Sequence, residues 1–97
     1  MKILAIGRPR PGLDVRAGIA PHAVQELRAL WALYGDGFVR EMHSPGGPGA
    51  VLVVEAPSRE AAHIRLAQLP LVSNEIIDFE LIELLPFTGL ERLFSDS

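Results

Sequence analysis

The run Ser44-Pro45-Gly46-Gly47-Pro48-Gly49 constrains this chain more than any other stretch. Two prolines and three glycines within six residues cannot continue a helix or a strand. Proline fixes φ and lacks a donor, while glycine opens the positive-φ region. Short runs of strand-forming residues flank it, Phe38–His43 (FVREMH) before and Ala50–Glu55 (AVLVVE) after. Two such runs joined by a turn-forming loop make a β-hairpin. The centre of the chain is therefore committed to antiparallel sheet, and the remaining segments must supply what covers it.

The N-terminal run Lys2–Arg8 (KILAIGR) is a third strand, apolar on both faces as an interior strand is. Pro9, Pro11 and Gly12 break it, and Arg10 to Ala20 reads as a loop. Pro21 suits the first turn of a helix. From there Val24, Leu27, Trp31 and Tyr34 recur at helical spacing, an apolar stripe expected to face the sheet, with Leu33 off it and free to touch a partner. Gly35-Asp36-Gly37 ends that helix. After the hairpin, Ser58 caps a second helix whose buried line is Ala62, Leu66 and Leu69, and Pro70 stops it. In Glu75–Leu85 (EIIDFELIELL), Ile77, Phe79 and Leu81 alternate with Asp78 and Glu80, which is the period of a strand. The tail from Phe87 to Phe94 is short and amphipathic.

The order is βαββαβ, which predicts a ferredoxin-like α+β domain spanning residues 1–97: a four-stranded antiparallel sheet, strand order 4-1-3-2, with both helices on one face. The two inferred central strands are the apolar ones. The inferred edges carry Arg40, Glu41, Asp78 and Glu80, and charge on an edge discourages uncontrolled sheet addition. The face away from the helices is apolar too, since Leu4 and Ile6 oppose Ile3 and Ala5, and Val51 and Val53 oppose Leu52 and Val54. The simplest cover for it is the same face of a second copy, so a homodimer or larger homo-oligomer is expected.

Composition removes several classes. A net charge of −3 and a pI near 5.5 argue against nucleic-acid binding, which needs a basic face for phosphates. No apolar stretch approaches the roughly 20 residues of a membrane span. With no cysteine there is neither a disulfide framework nor a thiolate nucleophile, which suits a reducing cytoplasm. His22, His43 and His63 show no metal-ligand spacing, so no metal and no cofactor is expected. The glycine-rich run lies between strands. A phosphate cradle would need a helix after it.

Candidate chemistry concentrates on the strand Phe38–His43. In regular pairing Arg40 stands opposite Val53 and diagonal to Glu55, so a guanidinium and a carboxylate share an otherwise apolar face. That pair either binds a small anionic ligand and moves a proton or forms a cross-strand ion pair at the sheet margin. On the other face Glu41 is placed to orient His43 as a general base, against the plainer reading of a solvated strand-end histidine. His22, at the start of the first helix, is a proton acceptor with Glu26 four residues on. Arg8, with Arg10 and Arg16, could attract an acidic small molecule. Trp31 and Tyr34 read as core or pocket wall.

The stretches VREMHSPGGPGAVLVVEA, RLAQLPLV and IIDFELIELLPF together resemble the small bacterial proteins of the muconolactone isomerase-like group, with YCII-related proteins as neighbours. The resemblance spans most of the chain and is strongest in Phe38–Glu55 and Leu66–Phe87. It implies a dimeric α+β barrel, two sheets shared by two subunits, with a pocket between sheet and helices. It also implies cofactor-free chemistry of the lactone-isomerising kind; for such chemistry the residues read above offer catalytic groups in His22, His43 and Glu55 and binding groups in Arg40, Glu41, Trp31, Tyr34 and Arg8. The first helix, QELRALWALY, carries fewer charges than the isomerases' does. The competing expectation is a non-catalytic homo-oligomeric binding module.

Overall fold

The computed structural model describes residues 1–95. Strand β1 (Lys2–Pro9) is followed by a five-residue helix α1 (Val15–Ile19), a 3-10 turn (Ala20–His22) and helix α2 (Ala23–Gly35). The hairpin β2 (Val39–His43) and β3 (Ala50–Glu55) comes next, then α3 (Arg59–Ala67), the single turn α4 (Pro70–Ser73), β4 (Ile77–Glu83) and a 3-10 segment at Gly89–Phe94. The four strands form one sheet in the order β2-β3-β1-β4, antiparallel throughout, which is the predicted 4-1-3-2 arrangement. Among the described residues no helix is long and apolar enough to cross a membrane.

Alternation along the central strands divides the sheet into two faces. Ile3 and Ala5 of β1 and Leu52 and Val54 of β3 are buried under the helices. Ala62, Leu66 and Leu69 meet them from above, as their spacing predicted. The opposite face carries Leu4, Ile6, Val51 and Val53, all half-buried, with Ile82 more open. It is thus apolar at its centre. Its rim is charged: Arg8 pairs with Glu80 at 2.7 Å and Arg10 with Asp78 at 3.0 Å.

Local signals set the helix starts. Asp14 accepts the Ala17 N–H at 3.2 Å and Ser58 accepts the Ala61 N–H at 3.0 Å, each satisfying a donor that a first helical turn leaves unpaired. The expected loop from Arg10 to Ala20 is therefore helical at its end, because Asp14 provides a cap that the flanking prolines and glycine obscure. At the other end of α2, the Asp36 carboxylate accepts the Phe38 N–H at 2.9 Å and bonds the Arg65 guanidinium, which also lies 4.5 Å from the Phe38 ring centre. Those bonds to Arg65 and Phe38 hold the Asp36 carboxyl below its ordinary range.

Two expectations need correction. The stripe Val24, Leu27, Trp31 and Tyr34 does not face the sheet: these residues are 62%, 67%, 70% and 47% exposed. The inward row lies one position earlier, half-buried at Ala23, Leu30 and Leu33 and buried at Glu26, with the same spacing. Leu33, assigned to a partner, packs on the chain's own core with Ala29 and Leu30. Both rows have the spacing of a helix face, so the pattern alone does not choose between them. Second, Arg40 is not opposite Val53. The β2–β3 register shifts between Val39 and Glu41, so Glu41 stands opposite Val53 and His43 opposite Val51. One extra residue in a strand reverses the face of everything beyond it.

Candidate active site

Between α2 and the helix-covered face of the sheet lies a cavity of about 240 Å³. Its walls are Leu27 and Leu30 from α2, Leu71 from α4, Ala50 from β3, and Ile77 and Phe79 from β4, with Ile19 and Gly49 also lining it. Two glycines make this space. A side chain on Gly7 would meet the Phe79 ring at 2.8 Å, so the absence of one lets that ring lie across the sheet and become a pocket wall. Gly49 has φ +124°, and a Cβ there would come within 2.3 Å of the Gly7 carbonyl oxygen.

One ionisable side chain lines this apolar space, Glu26. It is only 8% exposed and is the sole buried charged residue among those described. Its Oε1 accepts the backbone N–H of Leu71 at 3.0 Å, a donor that the first turn of α4 leaves without a helical partner. Among the described residues that is the carboxyl group's one hydrogen bond, so the second oxygen keeps its capacity for another partner. Burial raises the Glu26 pKa above the ordinary carboxylate value, and the Leu71 bond and the charge of His22 oppose this without cancelling it. A buried carboxyl group whose pKa is raised in this way is a candidate for proton transfer.

The expected site residues distribute differently. His22 is half-buried at the start of α2 and its charge acts on Glu26, but it does not itself line the pocket. Trp31, Tyr34, Arg40, Glu41 and His43 gather elsewhere, along an open groove between the outer face of α2 and the edge strand β2, with Met42. There the Trp31 and Tyr34 rings stack at 5.9 Å between centres, His43 Nε2 lies 3.1 Å from Glu41 Oε1, and the Arg40 Nε–H donates to the Gly37 carbonyl at 2.6 Å. The groove is exposed and its charged groups have water as a neighbour. Glu55 accepts the terminal ammonium of Met1 at 2.6 Å, and that bond, with smaller help from Arg40 and Lys2, holds its carboxyl below the ordinary range. Arg8 is tied to Glu80 on the other face of the sheet. Neither Glu55 nor Arg8 lines the Glu26 pocket. Among the described residues no cluster of three or more His, Asp or Glu is placed to hold a metal ion.

Glu26 is the residue that sequence reasoning passed over, weighed only as a partner for His22. A signal existed: Glu26 interrupts the row Ala23, Leu30, Leu33, so a charged residue sits where helical spacing puts an apolar one.

No protein-family model matches the sequence, and no curated protein matches it as a relative. Solved structures do match the fold. One is muconolactone isomerase, 24% identical, with a TM-score of 0.69 over 92% of this chain and 93% of that one. Another is a 5-chloro-2-hydroxyhydroquinone dehydrochlorinase from Burkholderia phenoliruptrix, solved with 2,5-dihydroxybenzoquinone. It is 17% identical, with a TM-score of 0.66 over 88% of this chain and 94% of that one. The order of elements, the 4-1-3-2 sheet and the near-complete mutual coverage lead to one conclusion: this chain has the α+β fold of muconolactone isomerase.

Proposed function

We propose that the chain is a small cofactor-free enzyme of the isomerase or lyase kind, moving a proton on a small cyclic carbonyl or lactone compound held in the Glu26 pocket. The observation that carries this reading is the buried, apolar setting of Glu26, with one oxygen held by the Leu71 N–H and the other unbonded. In its ionised form the free oxygen takes a proton from carbon next to a carbonyl, leaving an enolate. The same carboxylic acid returns the proton to another carbon, which isomerises the substrate. Alternatively the enolate electron pair expels a leaving group such as halide, and Glu26 keeps the proton until solvent takes it. His22, at the start of α2 and within electrostatic reach of Glu26, suits relay of that proton to water. The two fold neighbours, an isomerase and a dehydrochlorinase, act in those two ways by name, which supports the reading.

The test is deuterium wash-in. Cyclic ketones, unsaturated lactones and hydroxyquinones are incubated with the chain in D₂O and followed by proton NMR. Protein-dependent exchange at an α-carbon, lost in Glu26→Gln, is the expected result. Exchange that is equal in the variant removes Glu26 from the mechanism.

We also propose that the chain works as a homo-oligomer. The exposed row on α2, the apolar centre of the open sheet face and the tail side chains Phe87, Leu90, Leu93 and Phe94, each at least 60% exposed, are more apolar surface than a solitary small domain carries. The tail also stretches the molecule to 60 Å along its longest axis, against 30 and 21 Å across. These features equally favour the second reading, a non-catalytic oligomeric binding module, which the exchange assay separates from the first. The absence of cysteine fits a cytoplasmic setting.

A further inference from the structure

Resting on the reading above, we propose that the Glu26 pocket takes uncharged substrates: a flat, single-ring hydroxylated or carbonyl compound with no carboxylate of its own. The expectation of an anionic ligand came from Arg40 and from the cluster Arg8, Arg10 and Arg16; Arg40 stands in the outer groove, and none of the other three lines this pocket. Among the described residues neither arginine nor lysine lines the pocket. Its walls are Leu27, Leu30, Ala50, Leu71, Ile77 and Phe79, and its one ionisable group is itself an acid.

A second carboxylate is unwelcome there in either state of Glu26. If Glu26 is ionised, two like charges share a poorly solvated space. If it is protonated, the ligand's charge loses its water and gains at most one O–H donor. His22 is the nearby group able to carry positive charge, and it already acts on Glu26. Arg8 and Arg10 pair with Glu80 and Asp78 on the rim of the opposite sheet face. Size points the same way. A volume of about 240 Å³ lies below the usual ~300–1,000 Å³ of ligand pockets, so one ring fits and a second does not. The Phe79 ring supplies a flat wall against which a planar ligand stacks.

The experiment uses three probes on the full chain at pH 8: phenol, 4-hydroxybenzamide and 4-hydroxybenzoate. The last two have nearly the same shape and differ in charge. Binding is followed by amide NMR shifts up to tens of millimolar, reading Leu30, Leu71 and Phe79. The expected result is that 4-hydroxybenzamide moves these amides and binds at least ~10-fold more tightly than 4-hydroxybenzoate, about 1.4 kcal/mol. If 4-hydroxybenzoate moves the same amides and binds as tightly, the preference for uncharged substrates is wrong while the pocket assignment stands. If no probe moves them, the pocket is not a ligand site and both readings fall.

Discussion

Replacing Trp31 with glutamate tests the proposed self-association. In the single chain Trp31 is 70% exposed on α2 and stacks on Tyr34. If the chain worked alone, exchanging such a surface residue would change stability by no more than about 0.5 kcal/mol, plus up to ~1.5 kcal/mol from the lost ring pair. If a second copy covers the row, the consequence is much larger. A tryptophan offers about 200 Å² of surface, so the exposed share is about 140 Å². At ~25 cal/mol/Å² that corresponds to ~3.5 kcal/mol of gross driving force per copy. By affinity arithmetic this is ~300-fold in dissociation constant, and a two-fold interface presents the residue twice. A buried glutamate pair adds repulsion. Trp31→Glu is therefore expected to weaken association at least ~100-fold while costing the dissociated chain no more than ~2 kcal/mol in a urea melt. Sedimentation velocity over a dilution series measures the first effect. Trp31 is the only tryptophan, so its emission reports the same event independently, shifting to the blue as wild-type concentration rises. Identical sedimentation of variant and wild type at every concentration, with red-shifted emission throughout, would refute the reasoning.

Two further outcomes follow from the pocket. Because burial raises the Glu26 pKa in the folded chain, its neutral form contributes stability that is fully present below the unfolded carboxyl pKa and is lost as pH rises through the folded value. Urea melts from pH 4 to 8 should therefore show Glu26→Gln gaining on wild type as pH rises, and a constant gap would contradict the assigned burial. Gly49→Ala places a Cβ 2.3 Å from the Gly7 carbonyl at φ +124°, so it should cost more than ~1 kcal/mol in a urea melt, against the modest gain this exchange brings at a compatible site.

Much of the architecture was legible because its signals are local and mutually consistent. The SPGGPG turn, the apolar runs of β1 and β3, and the line Ala62, Leu66, Leu69 each required one structure, and together they required one sheet order. The site was not legible, for two physical reasons. A bulge at Arg40 has no marker in the sequence, yet it moved Glu41 and His43 onto the face assigned to Arg40. Rotation of α2 by one position is equally silent, since both candidate rows have the same spacing. The larger side chains suggested burial, but the inward row is Ala23, Glu26, Leu30 and Leu33, and the partner of its glutamate, the Leu71 N–H, comes from 45 residues away. Distant partners of that kind are what a sequence pattern does not display.

The central claim is that proton transfer belongs to the Glu26 pocket and not to the outer groove of β2. The most direct measurement compares deuterium wash-in rates on one substrate for wild type, Glu26→Gln and the double variant Arg40→Ala/His43→Ala. A general acid–base group is worth ~10²–10⁴-fold, so Glu26→Gln should lose at least ~100-fold while the double variant stays within a few-fold of wild type. Full activity in Glu26→Gln with loss in the double variant would contradict the account and return the chemistry to the surface of β2.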